Sequence, residues 1–157
     1  MSSATLVLRE AGSADLPGLL ELYRALNPSD PQLTAQEARA AFTAMLGQPG
    51  LTVFLATEAG EPVATSTLLV VPNLTRAARP YALIENVVTL ESHRGRGYGR
   101  AVVHHAIEAA FAANCYKVML LTGRQRPEVH AFYESCGFVQ NKTGFQIRQD
   151  SVGSKGR

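Results

Sequence analysis

Arg94-Gly95-Arg96-Gly97-Tyr98-Gly99-Arg100 sets three glycines at alternate positions between two stretches of opposite periodicity. Before it, Tyr81 to Leu90 is rich in β-branched residues and reads as a strand. After it, Val102, Val103, Ala106, Ile107, Ala110 and Phe111 form one helical stripe. Glycines in a strand-to-helix turn leave backbone N–H groups uncovered at a helix N-terminus, a geometry suited to phosphate oxygens. Arg94, Arg96 and Arg100 favour an anion with more than one charge, such as a pyrophosphate. The same glycines are also compatible with a turn that only needs their backbone freedom.

Two nucleotide motifs fail against these residues. A G-x-G-x-x-G fingerprint begun at Gly95 would end on Arg100, and one begun at Gly97 on Val102. A P-loop would need a Gly-Lys-Ser/Thr triplet, which does not follow. A dinucleotide-binding domain also carries its glycines after the first strand, whereas here they start at Gly95.

Outward toward the N-terminus, Pro72 to Pro80 reads as a loop holding Arg76 and Arg79. Leu51 to Thr57 and Val63 to Val71 read as a hairpin around the turn Glu58-Ala59-Gly60-Glu61-Pro62, whose Gly60 suits a position of positive φ. Thr34 with Glu37 makes a capping box for a helix carried by Ala38, Ala41, Phe42, Met45 and Leu46. Asn27 to Pro31 is a loop containing Asp30. Before it, Ser13 offers the cap for a helix with Leu16, Leu19, Leu20, Tyr23 and Leu26, preceded by a strand from Thr5 to Arg9. Toward the C-terminus, Lys117 to Thr122 reads as a buried strand, Pro127 to Ser135 as a helix closed by Gly137, and Phe138 to Arg148 as one or two strands. This order predicts an α+β (α/β) sheet with helices on both faces.

The 157 residues, 46% hydrophobic and 18% charged, predict one domain over 1–148 with a flexible tail over 149–157. A net charge of +2 and the absence of Trp argue against a nucleic-acid partner. No apolar run approaches the ~18 residues of a membrane helix, and Cys115 and Cys136 lack metal-ligand spacing. A cytoplasmic protein with reduced thiols and no metal is expected. His93, His104, His105 and His130 read as surface residues; His104 and His105 are adjacent on a helix and point about 100° apart.

The segment Arg94 to Gly99 resembles the Q/R-x-x-G-x-G/A signature of the GNAT superfamily of N-acetyltransferases. Ile84-Glu85-Asn86-Val87-Val88 before it, and Phe132-Tyr133-Glu134-Ser135-Cys136-Gly137-Phe138 after it, are similar to further elements of that family in the same order. The resemblance implies a mixed, mostly antiparallel sheet of six to seven strands flanked by about four helices. It implies a splay between the strand ending near Leu90 and the strand Lys117 to Thr122, with acetyl-CoA as cosubstrate. Val87, Val88, Thr89 and the segment Arg94, Gly95, Arg96, Gly97, Tyr98, Gly99, Arg100 are then the expected cofactor contacts. Arg126 stands where many members carry a cofactor-binding Asn.

Acetyl transfer from a thioester to an amine needs a deprotonated amine, an oxyanion donor and an exit for the thiolate. Tyr133 is the expected acid; full transfer from a phenol of pKa about 10 to a thiolate of about 8.5 would cost about 2 kcal/mol, so a donated hydrogen bond suffices. Packing beside Phe132 is its structural alternative. Glu85, inside an otherwise apolar strand, is the expected base, with a salt bridge or an exposed edge as its alternative. Family geometry implies the backbone N–H of Val88 as oxyanion donor.

The expected reaction is acetylation of a primary amine on a small metabolite, with a homodimer left open. A non-catalytic acyl-CoA-binding regulatory domain and a protein or peptide N-acetyltransferase are the alternatives. Asp30 for an ammonium, with Arg76 and Arg79 for a phosphate or carboxylate, would suit a zwitterionic acceptor. Ile84 to Val88, Cys115-Tyr116-Lys117 and Phe132 to Phe138 also resemble amino-sugar-phosphate acetyltransferases, with Asn86 in place of their usual Asp.

Overall fold

A computed structural model describes residues 5–149, so most of the expected tail lies outside the described residues. The chain forms two compact units, one up to Leu120 and one from Leu121.

In the first unit, β1 (Leu6–Glu10), β2 (Leu51–Glu58), β3 (Glu61–Val71), β4 (Tyr81–Thr89) and β5 (Val118–Met119) form one sheet in sequential order. The first four are antiparallel and β5 joins β4 in parallel. The β2–β3 turn is the two-residue Ala59-Gly60, with φ of 51° and 85°, whose left-handed backbone suits the twist of a hairpin. At the other end of that hairpin, Gly50 has φ of 81° and an added Cβ would lie 2.4 Å from the Val70 carbonyl oxygen, so only glycine fits.

Alternation along β2 sorts the helices to opposite faces. Val53 and Leu55 pack with Leu19 and Leu22 of α1 (Leu16–Leu26) and Phe42 of α2 (Ala35–Gly47). Phe54, between them, meets His105 of α4 (Tyr98–Ala112) edge-on at 4.9 Å, and Ser66 opposite it donates to the Val102 carbonyl of α4. His105 is therefore a packed residue of the helix, not a solvated one, and His104 is half-buried. Of the predicted stripe, Val102, Val103, Ala106 and Ala110 are fully buried, Ile107 is half-buried and Phe111 is 57% exposed.

Thr34 and Glu37 form the expected capping box, the Glu37 N–H donating to Thr34 Oγ1 and the Thr34 N–H to Glu37 Oε2. Ser13 does not cap α1. A 3₁₀ turn from Ser13 to Asp15 leads in, and Asp15 accepts from the Gly12 N–H at 2.8 Å and from Arg9 at 2.7 and 2.8 Å. Asp15 is the N-cap residue of α1 but makes no side-chain bond to the helix amides; its carboxylate ties the turn to β1 through Arg9. The expected 72–80 loop contains one turn, α3 (Thr75–Ala78), in which Arg76, Ala77 and Ala78 have φ of 56°, 59° and 60°. Left-handed backbone costs a non-glycine residue roughly 1–2 kcal/mol. Asn73 Nδ2 offsets this by donating to Thr75 Oγ1 and to the Thr75 and Arg79 carbonyls.

The second unit holds α5 (Pro127–Ser135). Gly137, at φ of 97°, ends it as expected, with Gly137 N–H on Glu134 O and Phe138 N–H on Tyr133 O.

The sheet has five strands among the described residues, not six to seven, and five helices counting the single turn α3. Lys117 to Thr122 contributes only Val118 and Met119, and Phe138 to Arg148 forms no strand. β-Branched and aromatic residues express their preference only against a paired neighbour. None of the observed ladders includes 138–148, and Phe145 and Ile147 stand over 90% exposed.

Candidate active site

The parallel pairing of β4 with β5 stops early. Ala82 opposes Val118, Leu83 opposes Met119, and no register pair follows among the described residues, so there 84–89 run on with one edge unpaired. Backbone polar groups on such an edge are available to a ligand. This is where the resemblance places a gap in the sheet.

Within that stretch the β3 side is irregular. Thr65 opposes Val88 but Thr67 opposes Glu85, so three steps on β4 match two on β3. The extra residue is absorbed at Asn86, whose φ is 53°, a left-handed conformation that asparagine tolerates better than most side chains. The bulge turns the backbone at Asn86–Val87 while Val88 keeps its side chain in the core beneath α1. Tyr23 of α1 reaches the bulge: its phenol lies 3.4 Å from Thr67 Oγ1, and burial pushes its pKa above the ordinary phenol value. Glu85 is exposed on this segment. An open groove of about 690 Å³ lies between α1 and the end of β4, lined by Glu21, Arg24, Ala25, Leu90, Glu91 and Ser92.

β4 leads through a 3₁₀ turn at Glu91–His93 into the glycine turn. Gly95 and Gly97 have φ of 75° and 82°, and an added Cβ at either would meet nothing within 4 Å. Gly97 is the N-cap of α4, and the first helical amide to find a carbonyl is that of Ala101, on Gly97 O. The N–H groups of Tyr98, Gly99 and Arg100 precede it, at the positive end of a fifteen-residue helix. Open space over the glycines, these amides and exposed Arg94 and Arg100 fit a diphosphate. Arg94 Nε donates to the Thr89 carbonyl at 3.3 Å.

Arg96 and Tyr98 turn to a residue absent from the sequence expectation. Glu58, the last residue of β2, accepts from the Tyr98 phenol on Oε1, and its Oε2 lies 3.1 Å from His93 Nε2 and 3.5 Å from Arg96 Nη1. The Tyr98 bond, then Arg96 and His93, hold the Glu58 carboxyl below the usual carboxylate range, and the same bond pushes the Tyr98 phenol up. No local signal marks Glu58 in the sequence, because its partners are about forty residues away. Tyr23 was legible only as part of an apolar stripe.

The expected acceptor residues sit elsewhere in the first unit. Arg79 donates to the Asn114 and Cys115 carbonyls at 3.3 and 3.4 Å, and Arg76 stacks over Tyr116 at 5.6 Å, with Lys117 over the same ring at 5.4 Å. They flank the start of β4, about 26 Å along the strand from its end at Thr89, at roughly 3.3 Å per residue. They therefore cannot share an anion with Arg94 and Arg100. Asp30 is exposed in the α1–α2 connection.

In the second unit, Tyr133 packs edge-on against Phe132 at 5.1 Å and Phe138 at 6.2 Å. Arg126 is the N-cap of α5, with Nε 3.6 Å from Glu128 Oε1 and its side chain 66% exposed. His130 Nε2 lies 2.9 Å from the Arg124 carbonyl oxygen. Cys115 and Cys136 are both buried and outside any disulfide, and burial raises the Cys115 thiol. Among the described residues no group of acidic, His and Cys side chains could hold a metal, and no helix is long and apolar enough to cross a membrane.

Comparison with known proteins bears on the same segments. Residues 18–138 match the profile of the Acetyltransferase (GNAT) family. The chain is 38% identical over 127 residues to glucosamine 6-phosphate N-acetyltransferase 1 of Oryza sativa subsp. japonica, covering 78% of this chain and 74% of the relative. It is 32% identical over 145 residues to glucosamine 6-phosphate N-acetyltransferase of Trypanosoma brucei brucei, covering 92% and 95%. A solved structure from Agrobacterium tumefaciens, 80% identical, superposes with a TM-score of 0.89 over 91% of this chain and 99% of that one. With the family profile spanning β4, the glycine turn and α5, this chain is an acetyltransferase and belongs to the GNAT family.

Proposed function

We propose that this enzyme transfers the acetyl group of acetyl-CoA to the primary amine of a small amino-sugar phosphate. The observation that carries the reading is the course of β4, which loses its β5 partner after Leu83 and then runs directly into the glycine turn and the donor-rich end of α4. The names of the rice and trypanosome relatives support a phosphorylated amine over a lysine-rich peptide. Two buried thiols outside any disulfide favour a reducing, cytoplasmic setting.

Acetyl-CoA, when bound, supplies a thioester carbonyl activated toward an amine. In this reading the amides from Gly95 to Arg100 bind the diphosphate, with Arg94, Arg96 and Arg100 around it, and Arg126 is assigned to acetyl-CoA as well. Val87, Val88 and Thr89, on this stretch of β4, are assigned to acetyl-CoA, with the Val88 N–H as oxyanion donor. Glu85, exposed on that stretch, takes a proton from the ammonium on a carboxylate oxygen, directly or through water. The Tyr133 phenol donates to the departing sulfur. Asp30 is assigned to the acceptor's ammonium, and Arg76 and Arg79 to its anionic group.

The test is thiol release from acetyl-CoA over a panel of amines: glucosamine 6-phosphate, glucosamine, spermidine and lysine-rich peptides. The reading expects the highest kcat/KM for glucosamine 6-phosphate. Efficient turnover of the peptides with none of the small amines contradicts it.

A further inference from the structure

We infer that Glu58 is a positioning residue for the acyl donor's diphosphate: it ties the glycine turn to the sheet through Tyr98, His93 and Arg96. This rests on the reading of that turn as the acetyl-CoA site.

The turn's other bonds lie at its start, from the His93 and Arg94 N–H groups to the Leu90 and Glu91 carbonyls and from Arg94 Nε to the Thr89 carbonyl. Gly95 and Gly97 both occupy left-handed backbone, and nothing packs within 4 Å of where their side chains would start. Glycines so placed leave the turn many conformations, while diphosphate recognition by amides needs one. Glu58 stands on rigid ground. It ends β2, opposite Leu6 on β1 and Glu61 on β3, and Thr57 and Ala56 before it are buried.

Its carboxylate reaches residues on both sides of the two glycines: His93 before Gly95, Arg96 between them, Tyr98 after Gly97. A carboxylate accepts at about four lone-pair sites, so one group can hold all three. The contacts differ in grip. Tyr98 and His93 are close, with the His93 side chain only 22% exposed. Arg96, at 3.5 Å and 52% exposed, is the loosest and so the one free to share its charge with a phosphate.

The sign of one substitution separates this role from plain electrostatics. Glu58 is an anion beside a proposed anion site. If it acted only through its charge, Glu58→Gln would tighten CoA binding by relieving repulsion. As a holder of the turn, its loss weakens binding.

The experiment measures CoA affinity by calorimetry for wild type, Glu58→Gln and Tyr98→Phe, each checked for folding by thermal denaturation. It also measures kcat/KM with acetyl-CoA and with S-acetyl-pantetheine, which lacks the diphosphate. The expected result is a Kd about tenfold higher for Glu58→Gln, equivalent to about 1.4 kcal/mol. The ratio of kcat/KM for acetyl-CoA to that for S-acetyl-pantetheine should fall by a similar factor, which a general loosening of the fold would not produce. Tyr98→Phe should weaken CoA in the same direction, and the double variant should be less than additive. A folded Glu58→Gln that binds CoA as well as wild type, or better, overturns this inference alone. Wild type that binds no CoA overturns the acetyl-CoA reading along with it. Equal loss with both thioesters places Glu58 in general structural support and also overturns the inference.

Discussion

Leu83 on β4 stands opposite Met119 on β5, and that pair is the last the two parallel strands share. Because β5 ends there, the second half of β4 keeps the backbone groups of one edge unpaired where the Asn86 bulge and exposed Glu85 lie. A sheet that closed fully would satisfy those groups itself and leave no room for a thioester.

Gly97→Val should cost CoA binding before it costs the fold. The residue sits at φ of 82°, where a β-branched side chain is strained by roughly 1–2 kcal/mol, and it adds bulk over the amides proposed to bind the diphosphate. Calorimetry is expected to show CoA affinity lost, with a modest drop in denaturation midpoint. A folded variant of unchanged affinity would remove the glycine turn from the site.

Tyr133→Phe keeps the ring that packs against Phe132 and Phe138 and removes only the hydroxyl. Turnover is expected to fall roughly 10²–10⁴-fold, the range for losing a positioned acid, with CoA affinity nearly intact. A rate within about twofold of wild type would return Tyr133 to a packing role.

For Glu85→Gln the informative variable is pH. If Glu85 removes the ammonium proton, the variant loses most at low pH, where the amine is protonated, and recovers as pH approaches the amine's own pKa. A pH–rate profile parallel to wild type would take Glu85 out of the mechanism.

Asp15 predicts a pH effect on stability. Its bond from Arg9, aided by the Gly12 N–H, holds its carboxyl below the usual range. A depressed folded-state pKa means the contribution is present above the unfolded value of about 3.9 and is lost as pH falls through the folded value. Asp15→Asn should therefore be less stable than wild type at neutral pH, with the gap closing on acidification below about pH 4. A gap that stays constant between pH 7 and 3 would contradict the assignment.

What the sequence revealed was local. The Thr34–Glu37 box, a hairpin centred on Gly60, the Gly137 cap and the glycine turn each span a few residues and carry their own chemistry. What stayed hidden depends on partners far along the chain. Glu58 reads as an ordinary turn residue until β2 and α4 are brought together, and Asn86 reads as a strand residue until the β3 register demands an extra position. The residues 138–148 have strand composition without a ladder. His105 faces Phe54 because β2 alternates beneath α4, which neighbouring residues in the sequence do not encode.

The most direct test of the central claim is mass spectrometry of glucosamine 6-phosphate incubated with acetyl-CoA and the purified protein. The account predicts a product heavier by one acetyl group, attached at nitrogen, with one free thiol released for each product formed. No acetylated sugar, with wild-type protein folded and able to bind CoA, would contradict it.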